Sequence, residues 1–215
     1  MSFSIYTLKG RFQALLRPLV GVLQRAGVSA NQVTTSAALA SIAVAALVAW
    51  QAPRQPLLWA LLPVWMFLRM ALNAIDGMLA REFAQQSRLG AYLNETGDVV
   101  ADAALYLALL GLPGVHAAAA WALAWAAAFS EYCGVLGLMV GAGRRYDGPM
   151  GKSDRAFVIG ALGLALAAGW IGAAAVDGVL ALTALLAILT GVNRVRHGLA
   201  ASAPISHHDP HDQET

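Results

Sequence analysis

Six apolar runs, at residues 33–50, 57–79, 89–112, 115–141, 156–176 and 179–195, take up most of this chain and leave it few ways to fold. Each is near or beyond the roughly 18 residues that let a helix cross a hydrocarbon core about 30 Å thick. The expected fold is therefore all-α, a polytopic membrane protein with six transmembrane helices. At 59% apolar and only 12% charged residues, the chain is too greasy for an ordinary soluble domain. The first 30 residues mix polar and apolar side chains without the compact apolar core of a cleavable signal peptide. Cys133, the one cysteine, falls inside the fourth run and reads as a small core residue.

Ahead of the first run, residues 3–26 alternate cations with Phe12, Leu15, Leu16, Leu19, Val22 and Leu23 at helical spacing, with Pro18 as a bend. This describes an amphipathic helix lying in the membrane interface, the alternative being a solvated leader. Ser29 or Asn31 then caps the first span. Charge placement sets the topology. Lys9, Arg11, Arg17 and Arg25 precede the first span, and Arg81 and Arg88 lie between the second and third. Arg144, Arg145, Lys152 and Arg155 lie between the fourth and fifth, and Arg194 and Arg196 follow the sixth; only Arg54 falls opposite. By the positive-inside rule both termini and the cation-bearing loops face the cytoplasm. Residues 1–200 form one transmembrane domain, and 201–215, with no apolar period, a disordered cytoplasmic tail.

Polar residues interrupt the apolar runs in register. Arg69, Asn73 and Asp76 share one face of the second span; Gly90, Asn94, Asp98 and Asp102 repeat every fourth residue on the third. The two helices meet at the loop holding Arg81 and Arg88, so residues equally far from it lie at equal depth. Counting inward at about 1.5 Å per residue pairs Asp76 with Asn94, Asn73 with Asp98 a turn deeper, and Arg69 with Asp102 as an ion pair flooring a polar pocket. The alternative for Arg69 is a bound lipid phosphate. Ionisable groups at membrane depth mark function. Gly77, Ala80, Gly90 and Gly97 keep the same faces small, and Glu131 on the fourth span lies near the depth of Asp98. Gly137 to Gly141 reads as a helix-packing GxxxG. The fifth and sixth spans carry no buried acid or base and read as scaffold. Clustered Asp and Asn oxygens suit Mg²⁺ or Mn²⁺ bridging a diphosphate, which beside lipid points to a nucleotide-activated lipid substrate.

The stretch Asn73-Ala-Ile-Asp76-Gly77-Met-Leu-Ala80-Arg81, continued by Gly90, Asn94 and Asp98, resembles the signature of the CDP-alcohol phosphatidyltransferase family, D-x2-D-G-x2-A-R-x8-G-x3-D-x3-D. Every spacing matches, and asparagine replaces aspartate at positions 73 and 94. Weaker similarity runs from about Asn31 to Arg155. The resemblance implies a membrane transferase of phospholipid biosynthesis that moves a phosphatidyl group from CDP-diacylglycerol, or a similar CDP-alcohol, to an acceptor hydroxyl and releases CMP. It implies Asp98 as general base, Asp76, Asp98, Asn73 and Asn94 around Mg²⁺ or Mn²⁺, and Gly77, Ala80, Arg81, Gly90 and Asn31 around CDP. It further implies a homodimer among membrane lipids. Lys152, in a segment similar to the Gly-Lys-x-Lys-Thr of phosphatidylglycerophosphate synthases, would bind an anionic acceptor with Arg144, Arg145 and Arg155. Glycerol 3-phosphate is the acceptor expected from those cations.

The two asparagines leave three outcomes open: one firm ion and one weak; Glu95 or Glu131 replacing a lost carboxylate; or a family member that binds lipid or nucleotide without catalysis. A small transporter ranks behind these, since neither internal repeats nor broken helices are visible.

Overall fold

The computed structural model describes residues 5–202; the start of the expected interfacial helix and the tail beyond Ser202 lie outside them. Seven α-helices are described: α1 (Ile5–Arg25), α2 (Ala30–Gln51), α3 (Leu61–Glu82), α4 (Arg88–Leu107), α5 (Ala117–Leu136), α6 (Lys152–Ala167) and α7 (Ala173–Ala201). Short 3-10 turns precede α3 at Pro56–Ala60 and follow α4 at Ala108–Gly111. No strand occurs among the described residues.

Among the described residues, four helical stretches are long and apolar enough to cross a membrane: Ala30–Gln51, Pro56–Glu82, Ala117–Leu136 and Ala173–Ala201. Of the six expected spans, the third and fifth fall short of that standard for different reasons. Glu95, Asp98 and Asp102 dilute the apolar character of α4, and α6 is only 16 residues long.

Local chemistry explains the helix ends. Ser29 and Gln32 form a reciprocal capping box at the start of α2, Ser29 N–H donating to Gln32 Oε1 at 2.8 Å and Gln32 N–H to Ser29 Oγ at 3.2 Å. Ser29 thus takes the capping role, and Asn31 is left facing α4. Ser87 Oγ accepts the Gly90 N–H at 2.9 Å and fixes where α4 begins.

Three expected boundaries move. The fourth run, carried to residue 141, stops being α-helical at Leu136: the next N–H groups bond to the third residue back, Leu138 to the Val135 carbonyl and Met139 to that of Leu136, and Gly141 and Gly143 then turn the chain at φ of +71° and +72°. Gly137 and Gly141 therefore form no helical GxxxG face. The fifth run is not one helix through 156–176: α6 ends at Ala167, Gly169 turns the chain at φ +69°, and α7 starts at Ala173. At its other end α6 starts early, with the Gly151 N–H donating to Asp154 Oδ2 at 2.9 Å, so Lys152 and Arg155 belong to its first turns.

α2 lies against both α3 and α4, α4 against α5, α5 against α7, and α3 against α6. The main core joins Val48, Trp59, Leu62, Leu105, Leu123, Ile159 and Leu180. Gly163 brings α6 close to the turn before α3; a Cβ there would sit 2.7 Å from the Trp59 carbonyl oxygen and 2.8 Å from Leu62 Cβ. A smaller cluster of Val20, Val33, Ile75, Met78 and Leu79 docks α1 on α3. Arg17 clamps both Glu82 oxygens at 3.0 and 3.1 Å, while Leu15, Leu19 and Val22 of α1 stay exposed. With α2 beside both, α3 and α4 meet largely through side chains.

Candidate active site between α3 and α4

The ends of α2, α3 and α4 surround a cavity of about 440 Å³. Asn31 and Thr34 line it from α2, Asp76, Gly77, Ala80 and Arg81 from α3, and Gly90, Asn94 and Glu95 from α4, with Gln85, Gln86 and Ser87 closing the loop side. Two glycines are required by close approach. A Cβ on Gly77 would meet the Arg81 guanidinium at 3.0 Å, and one on Gly90 would meet Asn31 Oδ1 at 2.7 Å and Ser87 Oγ at 3.0 Å. Small residues here let Arg81 fold back along its own helix toward the cavity.

Asp76 is buried, and its Oδ2 accepts the Thr34 hydroxyl at 2.7 Å. Among the described residues it has no ion-pair partner. One turn deeper, Asp98 Oδ1 accepts from Arg69 Nη2 at 3.0 Å and from Asn73 Nδ2 at 3.4 Å, and Asp98 Oδ2 pairs with the Lys152 ammonium. Deeper still, Arg69 Nη1 donates to Asp102 Oδ1, and Tyr106 donates its hydroxyl to Asp102 Oδ2 at 3.2 Å. Arg69 therefore faces the two aspartates of α4.

The network continues sideways. Arg155 Nη2 lies 3.6 Å from Asp102 Oδ2 and 2.8 Å from Glu131 Oε1, and Glu131 Oε2 meets Arg194 at 3.2 Å and Arg144 at 3.1 Å. Arg144 also binds Glu95 at 2.7 Å and lies over the Tyr146 ring, 4.8 Å from its centroid. Five cations (Arg69, Arg144, Lys152, Arg155, Arg194) thus connect four carboxylates (Glu95, Asp98, Asp102, Glu131), with Asp76 and Arg81 lining the adjoining cavity. Such pairing is how charges persist away from water.

Several expectations change here. Arg155, expected to meet an acceptor, is fully buried and donates to the Met150 carbonyl at 3.0 Å. Arg145 is held by Asp147 at 2.9 Å through two nitrogens rather than standing open. Of the two candidate replacement carboxylates, Glu131 does not line the cavity and is held by three arginines, whereas Glu95 lines it with Asp76 while pairing with Arg144. The last two helices are not inert scaffold, since α6 and α7 bury Arg155 and Arg194. Sequence reasoning missed Thr34, Gln85, Gln86, Ser87, Tyr106 and Arg194. For Arg194 a signal existed: Thr183, Thr190 and Arg194 fall on one helical face.

Among the described residues no three His, Cys, Asp or Glu side chains gather as a metal site. An ion here must use amide oxygens as well, and the cavity supplies them: the unpaired Asp76 carboxylate with the Asn94 amide, and Asn73 a turn below. That donor set of hard oxygens fits one divalent cation such as Mg²⁺ or Mn²⁺ better than two, because Lys152 and Arg69 already neutralise Asp98.

Residues 28–200 match the family model described as CDP-alcohol phosphatidyltransferase. The chain is 43% identical over 205 residues to the inner membrane protein YnbA of Escherichia coli (strain K12), covering 94% of this chain and all of that one. It is 36% identical over 99 residues to a phosphatidylinositol phosphate synthase of Mycobacteroides abscessus, covering 46% of this chain and 43% of that protein. The fold is similar to the Mycobacterium tuberculosis phosphatidylinositol phosphate synthase crystallised with CDP-DAG bound, at TM-score 0.71 and 21% identity over 89% of this chain and 97% of that one.

Proposed function

The chain belongs to the CDP-alcohol phosphatidyltransferase family, and from that premise we propose that it transfers a phosphatidyl group from CDP-diacylglycerol, or a similar CDP-alcohol, to the hydroxyl of a small polar acceptor. The observation that carries this reading is the cavity, in which an unpaired carboxylate, an exposed guanidinium and four wall amides converge beside Asp98. Gln85, Gln86 and Asn31 supply donors and acceptors for a cytosine edge, and Arg81 a cation for the diphosphate. Gly77 and Gly90 allow the nucleotide close to the helix backbones.

Asp76, Asn94 and Asn73 would hold the divalent cation, with Asp98 at its edge. Bound there, such an ion would offset diphosphate charge and ease departure of CMP. Asp98 would take the acceptor's proton, the acceptor hydroxyl approaching its carboxylate beside the Lys152 ammonium that pairs with it. Arg69, through Asp98 and Asp102, fixes the height of that carboxylate in the bundle.

On the same reading α4 and α6 cross the membrane with the other four helices, the charges of α4 being matched inside the bundle. α1 lies in the interface on its exposed Leu15, Leu19 and Val22 edge. Both termini and the cavity face the cytoplasm across the inner membrane, and the protein works as a homodimer. The glycerol 3-phosphate expectation rested on open cations, and the carboxylate partners of Lys152, Arg144, Arg145 and Arg155 remove that support.

Incubating the purified protein in lipid nanodiscs with CDP-diacylglycerol, Mn²⁺ or Mg²⁺ and isotope-labelled alcohols should yield a labelled phospholipid by mass spectrometry. CDP-diacylglycerol that binds without yielding any lipid product would favour a second reading, a non-catalytic binding protein. That reading draws on the neutralised Asp98 and the two asparagines.

A further inference from the structure

We propose that Glu131 occupies an oxyanion seat built by three arginines, and that the acceptor is consequently an alcohol without a phosphate group. This rests on the transferase reading above. Arg155, Arg194 and Arg144 each place a guanidinium nitrogen 2.8 to 3.2 Å from a Glu131 carboxylate oxygen. Guanidinium forks converging on one oxyanion are the arrangement that would recognise a phosphate.

The seat is rigid. Arg194 also donates to the Ser130 carbonyl at 2.6 Å, and Arg155 to the Ser130 hydroxyl at 3.2 Å and the Met150 carbonyl at 3.0 Å. Gly134 keeps the space open, since a Cβ there would fall 3.1 Å from Arg194 Nη1 and 2.7 Å from the Arg145 carbonyl oxygen. Only 11% of the Glu131 side chain is exposed, so the seat is filled from within.

The cations nearest the open side are spoken for as well, Lys152 by Asp98 and Arg144 by Glu95. A phosphate monoester reaching Asp98 would enter a network whose five cations already hold carboxylates, and could gain one of them only by stripping it from a part-buried partner. An uncharged polyol meets no such penalty. Its hydroxyls can bond to Glu95, Arg144 and Lys152, whose side chains are 34%, 24% and 31% exposed. Glu131 thus acts as a specificity determinant through the arginines, without touching the reacting atoms.

The test uses the full chain in nanodiscs, with saturating CMP filling the cavity beside Arg81, titrated with inorganic phosphate and with glycerol 3-phosphate by calorimetry. The wild type should show no saturable binding of either at millimolar concentration. Glu131→Gln, which keeps the shape and removes the charge, should gain saturable phosphate binding and a phosphate-dependent rise in melting temperature; Glu131→Asp, which keeps the charge, should gain neither. In turnover, wild-type kcat/KM should favour glycerol or inositol over their phosphates by about tenfold or more. Saturable glycerol 3-phosphate binding by the wild type, a turnover preference for phosphorylated alcohols, or no gain in a folded Glu131→Gln would each overturn the proposal. Should Glu131→Gln not fold, the wild-type titration and preference decide. Should no alcohol release CMP, the transferase reading fails, and the two titrations still decide whether Glu131 fills a phosphate seat.

Discussion

At the level of single residues, the departure that matters is amide for carboxylate at positions 73 and 94. Asn94 faces the cavity and Asn73 donates to Asp98 at 3.4 Å, a contact two carboxylates could make only by sharing a proton or a cation. Restoring charge should therefore create metal demand. Asn73→Asp and Asn94→Asp should each tighten Mn²⁺ binding by on the order of tenfold, read by electron paramagnetic resonance titration. Asn73→Asp should also melt lower than wild type without metal and recover when Mn²⁺ is added. Equal affinities in all three proteins would place the ion elsewhere. A second residue-scale prediction concerns Asp147, in the turn before α6. Hydrogen bonds from Arg145 and His197 hold its carboxyl at about 2, below the usual 3.8. A lowered value means that its contribution is present above about pH 4 and is lost as the pH falls toward about 2. Hydrogen exchange of residues 144–148 should accelerate over that window, and Asp147→Asn should show the fast exchange at neutral pH.

Among the helices, the register of α3 and α4 was legible because both run from one short loop, so equal counts inward mean equal depth. Arg69 and Asp102 consequently lie together, as do Asn73 and Asp98. Helix ends were less legible. The apolar composition runs on through Gly141, Gly143 and Gly169, whose left-handed φ turns the chain after α5 and α6 have stopped. Arg155 and Arg194 were read as surface cations because a loop count assigns every arginine to the membrane surface. Their carboxylate partner, Glu131, comes from another helix and is invisible without tertiary pairing. The tight contact of α6 also yields a prediction. Gly163→Val would drive side-chain atoms into the Trp59 carbonyl and Leu62, and overpacking of this kind costs about 1–3 kcal/mol. Thermal unfolding in detergent should show the loss, whereas Gly178→Val, with open space around its Cβ, should be close to neutral.

For the molecule as a whole, a bundle of apolar helices carries one charged district, in which five cations and four carboxylates hold one another. The cavity lies at one end of that district and the arginine seat of Glu131 at the other, with Asp98 between them on the part-exposed side. The central claim is that the faces of α3 and α4 form one site that cleaves a CDP-alcohol. CMP release from CDP-diacylglycerol by the reconstituted protein, with Mn²⁺ and an alcohol acceptor, tests it most directly. Wild-type protein should release CMP, Asp98→Ala and Asp76→Ala should each lower the rate by about 10²-fold or more, and both variants should stay folded by circular dichroism. CMP release undiminished in Asp98→Ala would contradict the account.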